Sequence, residues 1–503
     1  MRSFWTYAAL AGLCGALATS PSLAQPIGSN PPLPGKQQPP ASDTGSSAAQ
    51  PPKTGTPTTP STQGKDPADK DPIVDEAAKL FNEGKDEDAY KKLLEAVSKN
   101  DKLPPARLML YRMYMSKNRA ADARRAIEQN AVENPDHPDT YITFAMLALS
   151  QARYTDAWLQ FQRGLQTLEG PKKWSDQQRK SIALACHSGL AQTAESRLQY
   201  DVAKKHFEEV LKLDFPKKDL AGFRASLGRV LFQLDKREEA LKELQAAYVD
   251  APELEPPGVL MAKMYTAKAM QEKDKAKQRE LVAKSKEWFE YALKTDPKSY
   301  KAHISYAVWL FDMCYLDKAY FPLAEEELKE AIKLDPKAYD NKILRGMMYR
   351  WQGNYEGAEA EFESAWREKQ EDFYSQNQLV LALVEQKGNP AKMQRAVQLA
   401  TENAQKFGGR VPEASATYAY VMFKNNRLDD AEKALQMSFQ SGQYTADTLY
   451  YFALVNRYRG KLTEAAEALK LAVSQPGRFM FRKEATIDLE QLSGNRAPTA
   501  PTK

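Results

Sequence analysis

From Ile73 onward, apolar residues return at i, i+3, i+4 and i+7, with Lys, Glu, Asp and Gln in the positions between. A helix of 3.6 residues per turn gathers those apolar positions into one stripe, so the pattern predicts amphipathic helices. No convincing two-residue alternation, the mark of a half-buried strand, runs through the same stretch. Ala, Leu, Glu and Lys dominate and Gly is sparse, which suits helix interiors. The predicted elements are helices throughout.

The stripe also has a longer period. A small residue, usually followed four positions later by a large apolar one and seven later by another small one, falls at Ala89, Ala123, Ala157, Ala203, Ala240, Ser285, Ala324, Ala358, Ala396, Ala431 and Ala465. Successive members lie 34 residues apart at Ala89–Ala123, Ala123–Ala157, Ala324–Ala358 and Ala431–Ala465, and 35 to 46 apart elsewhere. Small residues let two helices cross closely, and the large apolar ones fill the space between pairs. Pro135, Pro252, Pro297 and Pro336 follow second helices and stop them. One helix pair cannot bury its own stripe, so such repeats must stack.

The clearest copies carry more of the pattern. "GMMYRWQGNYEGAEAEFESA" places Gly346, Tyr349, Gly353, Tyr355, Ala358, Phe362 and Ala365. "SLGRVLFQLDKREEALKELQAAYVDAP" places Leu227, Gly228, Leu231, Ala240, Leu244, Ala247 and Pro252. "YAYVMFKNNRLDDAEKALQMS" places Tyr418, Ala419, Met422, Leu428, Ala431 and Leu435. In these residues the chain resembles the tetratricopeptide repeat (TPR) family. That family's unit of two antiparallel helices approximates W-x2-L-G-x2-Y, then A-x3-F-x2-A, then P. The Trp is missing throughout, and the copy near Ala396 is the loosest.

The resemblance implies an all-α, right-handed α-solenoid of about eleven helix-turn-helix (TPR-like) repeats over residues 73–478. It also implies a concave groove lined by first helices, in which peptides or helical segments of partner proteins lie. The groove positions outside the packing pattern carry Arg112, Met146, Gln192, Arg229, Met347 and Tyr420, with Arg350, Trp351, Arg457 and Tyr458 near the ends of the same helices. Arg, Met and aromatic residues are favoured at interfaces. Some family members clamp a terminal carboxylate with Lys and Asn. Here Ile142, Met146 and Ile343 stand where such polar residues would be wanted.

Departures from the period locate additions. "EGPKKWSDQQRKS" (Glu169 to Ser181) lies between the third and fourth units, and a long turn surrounds "CYLDKAYFP" (Cys314 to Pro322) in the seventh. The charged stretch Ala269 to Glu287 predicts two lengthened helices projecting from the sixth unit. "FMFRKEATIDLEQLSG" predicts a capping helix over 479–494, followed by a disordered tail, 495–503.

The first 72 residues have another texture. Arg2, the apolar run "FWTYAALAGLCGALA", Pro21 and the small residues Ser22 and Ala24 form the layout of a signal peptide over 1–24, cleaved after Ala24. Cys14 follows the bulky Leu13, which disfavours a lipidation site. Residues 25–72 hold 12 of the 30 prolines and almost no large apolar side chain, so they predict a disordered Pro/Ser/Thr-rich linker. The chain is thus expected to be exported, periplasmic or secreted. After cleavage no stretch reaches the roughly 20 apolar residues of a membrane span.

Charge and chemistry narrow the function. The net charge of +5 is small for 503 residues and its signs are interspersed, so no nucleic-acid footprint is present. His137, His187, His206 and His303 form no zinc-type spacing, though His187 and His206 share the fourth unit. Phosphate loops and nucleophile elbows are absent. Carboxylates alternate with Lys and Arg as solvated helix-face pairs. Cys186 and Cys314 lie three repeats apart, too far for a disulfide in a stack where each repeat meets its neighbours. No cofactor, metal or catalytic set is expected. The expected function is a non-catalytic protein–protein interaction scaffold. The alternative is a structural assembly factor of an envelope machine for secretion, pili or polysaccharide export.

Overall fold

The computed structural model describes residues 71–100, 103–170, 174–440, 442 and 444–494. The expected signal peptide, the linker up to residue 70 and the tail 495–503 lie outside the described residues. Among the described residues the regular elements are helical, with 23 α-helices and no strand. They divide into two compact units, one up to Met264 and the other from Tyr265.

The first unit runs α1 (Pro72–Asn82), α2 (Asp86–Lys99), α3 (Ala106–Ser116), α4 (Ala120–Glu133), α5 (Pro138–Ser150) and α6 (Tyr154–Gln166). It continues with α7 (Asp176–Ser196), α8 (Tyr200–Lys212), α9 (Lys217–Gln233) and α10 (Arg237–Asp250), and ends within α11 (Pro257–Gln271). The second unit holds α12 (Lys275–Thr295), α13 (Tyr300–Met313), α14 (Tyr320–Leu334), α15 (Tyr339–Trp351), α16 (Tyr355–Glu368) and α17 (Phe373–Val384). It closes with α18 (Pro390–Phe407), α19 (Pro412–Lys424), α20 (Leu428–Phe439), α21 (Ala446–Tyr458), α22 (Leu462–Ser474) and α23 (Arg482–Leu492). These are eleven helix hairpins and one terminal helix, an all-α helical solenoid.

The eleven small residues picked out by the period, from Ala89 to Ala465, are each 0% exposed. They sit on second helices, where the first helix crosses. At Gly346 the crossing is so close that an added Cβ would lie 2.7 Å from the Phe362 ring, and at Gly228 it would lie 2.8 Å from Leu244. In most pairs the chain turns between the two helices through a left-handed residue. It stands two positions before the second helix at Gly84, Asn118, Ala152, Leu198, Asp235, Gly353, Asn426 and Gly460. Ala152 and Leu198 hold this conformation despite their Cβ, which normally disfavours it.

The additions are absorbed rather than left hanging. "WSDQQRKS" forms the start of a 21-residue α7, where Ser175 and Gln178 make a capping box. The charged stretch of the sixth unit does not project freely, as the sequence pattern predicts. Gln278, Val282 and Ser285 of α12 are buried; Gln278 Nε2 donates to the Ala269 carbonyl at 3.2 Å, and Ser285 bonds Thr266 at 2.7 Å. The added length on α11 and α12 pairs with itself. Cys186 and Cys314 are buried free thiols. No helix among the described residues is long and apolar enough to cross a membrane.

Candidate partner-binding faces

First helices pack on their own second helices and also side by side, α5 on α7, and α13 on α15, α17, α19 and α21 in succession. That side-by-side approach gives each unit an inner face built from first helices. Six of the candidate residues occupy one equivalent place on it, eleven residues before the small residue of the following helix: Arg112, Met146, Gln192, Arg229, Met347 and Tyr420.

In the first unit this row is open. Met146 is exposed, and Met115, also exposed, lies one turn beyond Arg112 on α3. Arg112 is part-exposed, with the Asp139 carboxylate at 3.9 Å. Gln192 is half-buried. Arg229 grips Glu195 through two parallel bonds, Nε to Oε1 at 2.6 Å and Nη2 to Oε2 at 3.0 Å. Glu195 is on α7 and Arg229 on α9, so this fork ties two neighbouring first helices together.

In the second unit the row is covered, and the expectation of an exposed stripe fails there. Met347, Arg350 and Tyr420 are buried. Tyr374 donates its hydroxyl hydrogen to Met347 Sδ at 3.1 Å, and Arg350 Nη1 donates to Gln378 Oε1 at 2.6 Å. Tyr420 donates to Glu385 and stacks on Tyr451 with ring centroids 4.2 Å apart. Trp351 is half-buried, edge-on to Phe311 at 5.9 Å. Arg457 pairs with Asp488 and reaches Gln491 at 3.1 Å, both on α23. Only Tyr458 is well exposed, at the edge of Phe423.

Met347 and Arg350 are covered from α17, and over Tyr420 the cover comes from the chain's own end. The expected capping helix begins only at Arg482. The residues before it, Gln475 to Phe481, leave α22 and return along the inner face. Phe479 and Phe481 are buried; Phe481 stacks on Tyr450 at 5.0 Å and lies 5.5 Å from Tyr420. Arg478 Nη1 reaches Asp312 Oδ1 of α13 at 2.9 Å. Sequence reasoning missed Asp312, Tyr450, Tyr451, Arg478 and Phe481. The signal was available in "QPGRFMFR", where a Pro-Gly break precedes alternating aromatics, a pattern of extended chain rather than helix.

Two other places hold polar side chains close together. His187 of α7 and His206 of α8 face each other with Nδ1 atoms 3.0 Å apart, and the Trp158 ring meets His206 edge-on at 5.5 Å. Burial drives both imidazoles toward the neutral form, His206 to about 4, with each other's charge adding to the effect on His206 and Glu209 opposing it. One neutral ring donates and the other accepts. No set of three metal-ligating side chains occurs among the described residues. A cleft between α16 and α18 is lined by Glu356, Glu359, Glu363, Gln386, Asn389 and Lys392. Two of its carboxylates are already engaged, Glu359 by Lys392 and Gln386, and Glu363 by Arg395.

No protein-family model matches the chain, and no curated protein matches its sequence. Solved structures that resemble it are helical repeat proteins. The yeast Tom70 structure is 14% identical at a TM-score of 0.34, with 84% of this chain and 95% of that one covered. A tetratricopeptide repeat protein of Parabacteroides merdae is 13% identical at a TM-score of 0.40, covering 54% of this chain and 98% of its own. The pilF structure of Pseudomonas aeruginosa is 17% identical at 0.31, covering 47% and 98%. With scores under 0.5, the repeat architecture stands on the hairpins themselves.

Proposed function

We propose that this chain, a tetratricopeptide repeat protein by its eleven hairpins and their buried small residues, is a non-catalytic scaffold acting in the periplasm or outside the cell. Its first unit holds a protein partner on its inner face. One observation supports this reading above the others: that face leaves Met115 and Met146 exposed and Arg112 part-exposed. Exposed Met beside Arg is the make-up of an adaptable interface, in which thioethers repack and guanidiniums orient the partner. The export part of the reading rests on the signal-like residues 1–24.

The test is co-purification from envelope extracts with the mature chain, set against Met146→Ala, Arg112→Ala and Arg229→Ala in one chain. Specific partners retained by the parent and lost by the triple variant are the expected result. Identical partners on both would remove the first-unit face from the reading.

A further inference from the structure

The returning segment is seated as a bound peptide would be. It leaves α22 at Pro476 and Gly477, where Gly477 turns through a φ of +91°. From there Arg478, Phe479, Phe481 and Arg482 anchor it. Arg478 spans to Asp312 at 2.9 Å and lies over the Phe311 ring at 4.9 Å. Phe481 completes a cluster with Tyr420, Tyr450 and Tyr451. Arg482 folds back on the carbonyls of Val473, Gln475 and Gly477 at 2.6 to 2.9 Å and lies over the Tyr315 ring at 5.1 Å. The contacts reach α13, α19 and α21, while the segment itself follows the last hairpin. It can therefore leave its seat without interrupting the stack.

The fit is also incomplete. Arg350 is buried, yet its Nε has no hydrogen-bond partner among the described residues. Burial raises the carboxyls of Asp312 and Asp447 even with Arg478 nearby, so their charges are under-compensated. A permanent core segment normally satisfies such groups.

We propose that the inner face of the second unit is a binding site for an extended partner segment of Arg-Phe-x-Phe type, and that residues 475–492 are the internal ligand such a segment displaces. The guanidinium goes to Asp312, and the second aromatic ring goes to the Tyr420, Tyr450 and Tyr451 cluster. Arg350 offers its free N–H to the incoming backbone. This inference goes beyond the scaffold reading and does not depend on the first-unit face, so either can fail alone.

The probe is a labelled peptide PGRFMFRK, the chain's own residues 476–483, followed by fluorescence anisotropy with the full chain. A tethered competitor acts at an effective concentration of about a millimolar, so the wild type should bind weakly. Arg478→Glu with Phe481→Ala weakens the competitor and leaves the wall intact, and should tighten binding about tenfold or more by freeing the competent state. Adding Asp312→Asn should reverse most of that gain, and a scrambled peptide should not bind. No gain in a double variant that melts like the wild type overturns the proposal, as does a gain indifferent to Asp312→Asn. Hydrogen exchange on the wild type decides the matter if the double variant does not fold. Amides 475–481 should open about ten times faster than those of α21 or more, as a local unit; one common rate would make the segment part of the core and overturn the proposal.

Discussion

Met146 of α5 and Tyr420 of α19 hold the same place in their hairpins, yet Met146 is 39% exposed and Tyr420 is 2% exposed. The hairpins around them follow one rule. Ala157 and Ala431, eleven residues on, are equally buried, and the large apolar residues after them, Phe161 and Leu435, fill the same gap. What differs is a segment that arrives from elsewhere. In the second unit residues 475–492 lie on the inner face; the first unit has no such segment among its described residues. A position in a repeat therefore fixes how a side chain packs within its own stack, and leaves open whether its outward side meets water, a partner or the chain itself.

The largest expected effect tests that cover. Phe479 is 1% exposed, and Phe479→Ala should destabilise the second unit by about 3 kcal/mol in urea unfolding. Met146→Ala, its counterpart on the open face, should cost about 0.5 kcal/mol or less. Equal costs would erase the contrast between the faces. Next comes the shared hairpin. Gly228→Val and Gly346→Val push a side chain into Leu244 and Phe362, and each should cost about 1–3 kcal/mol whichever unit it lies in. A large gap between the two would mean that the units differ in packing as well as in cover.

One pH dependence belongs to the histidine pair of the first unit. The folded His187–His206 pair resists protonation below the ordinary imidazole value of about 6.5, His206 down to about 4, because of burial. Between those values the unfolded chain binds protons that the folded pair refuses. Stability is therefore full above about pH 6.5 and declines as pH falls toward 4. Melting of the wild type at pH 7 and pH 5, against His206→Gln, should show a smaller acid loss in the variant. The smallest effect is a gain. Leu198 is exposed and left-handed at φ +58°, so Leu198→Gly should stabilise by about 1 kcal/mol. Ala152→Gly should do the same by a similar amount, and no rise in melting temperature for either would remove strain from the turns.

The hairpins were legible because each is written locally. Ala358, Phe362 and Ala365 meet residues of their own pair and its neighbours, so their chemistry recurs with the period that builds them. The candidate row was legible as a place and not as a surface. Arg112, Met146 and Arg229 lie on an inner face with part of each side chain open, while the same spacing led to Met347 and Tyr420, which other parts of the chain bury. Ser285 and the charged residues around it read as a solvated projection, because a run of Lys and Glu does not disclose that Gln278 and Val282 turn inward.

By itself, the sequence determined the helices, their pairing and the turn between them, through contacts a few dozen residues apart at most. Tertiary structure alone decided the union of Arg478 with Asp312 and of Phe481 with Tyr420. Those contacts depend on how several stacked hairpins curve, a sum of small rotations that no single repeat encodes. They also depend on a non-repeating segment whose partners carry no periodic mark. The period specifies the wall, and the curvature of the stack chooses what comes to rest against it.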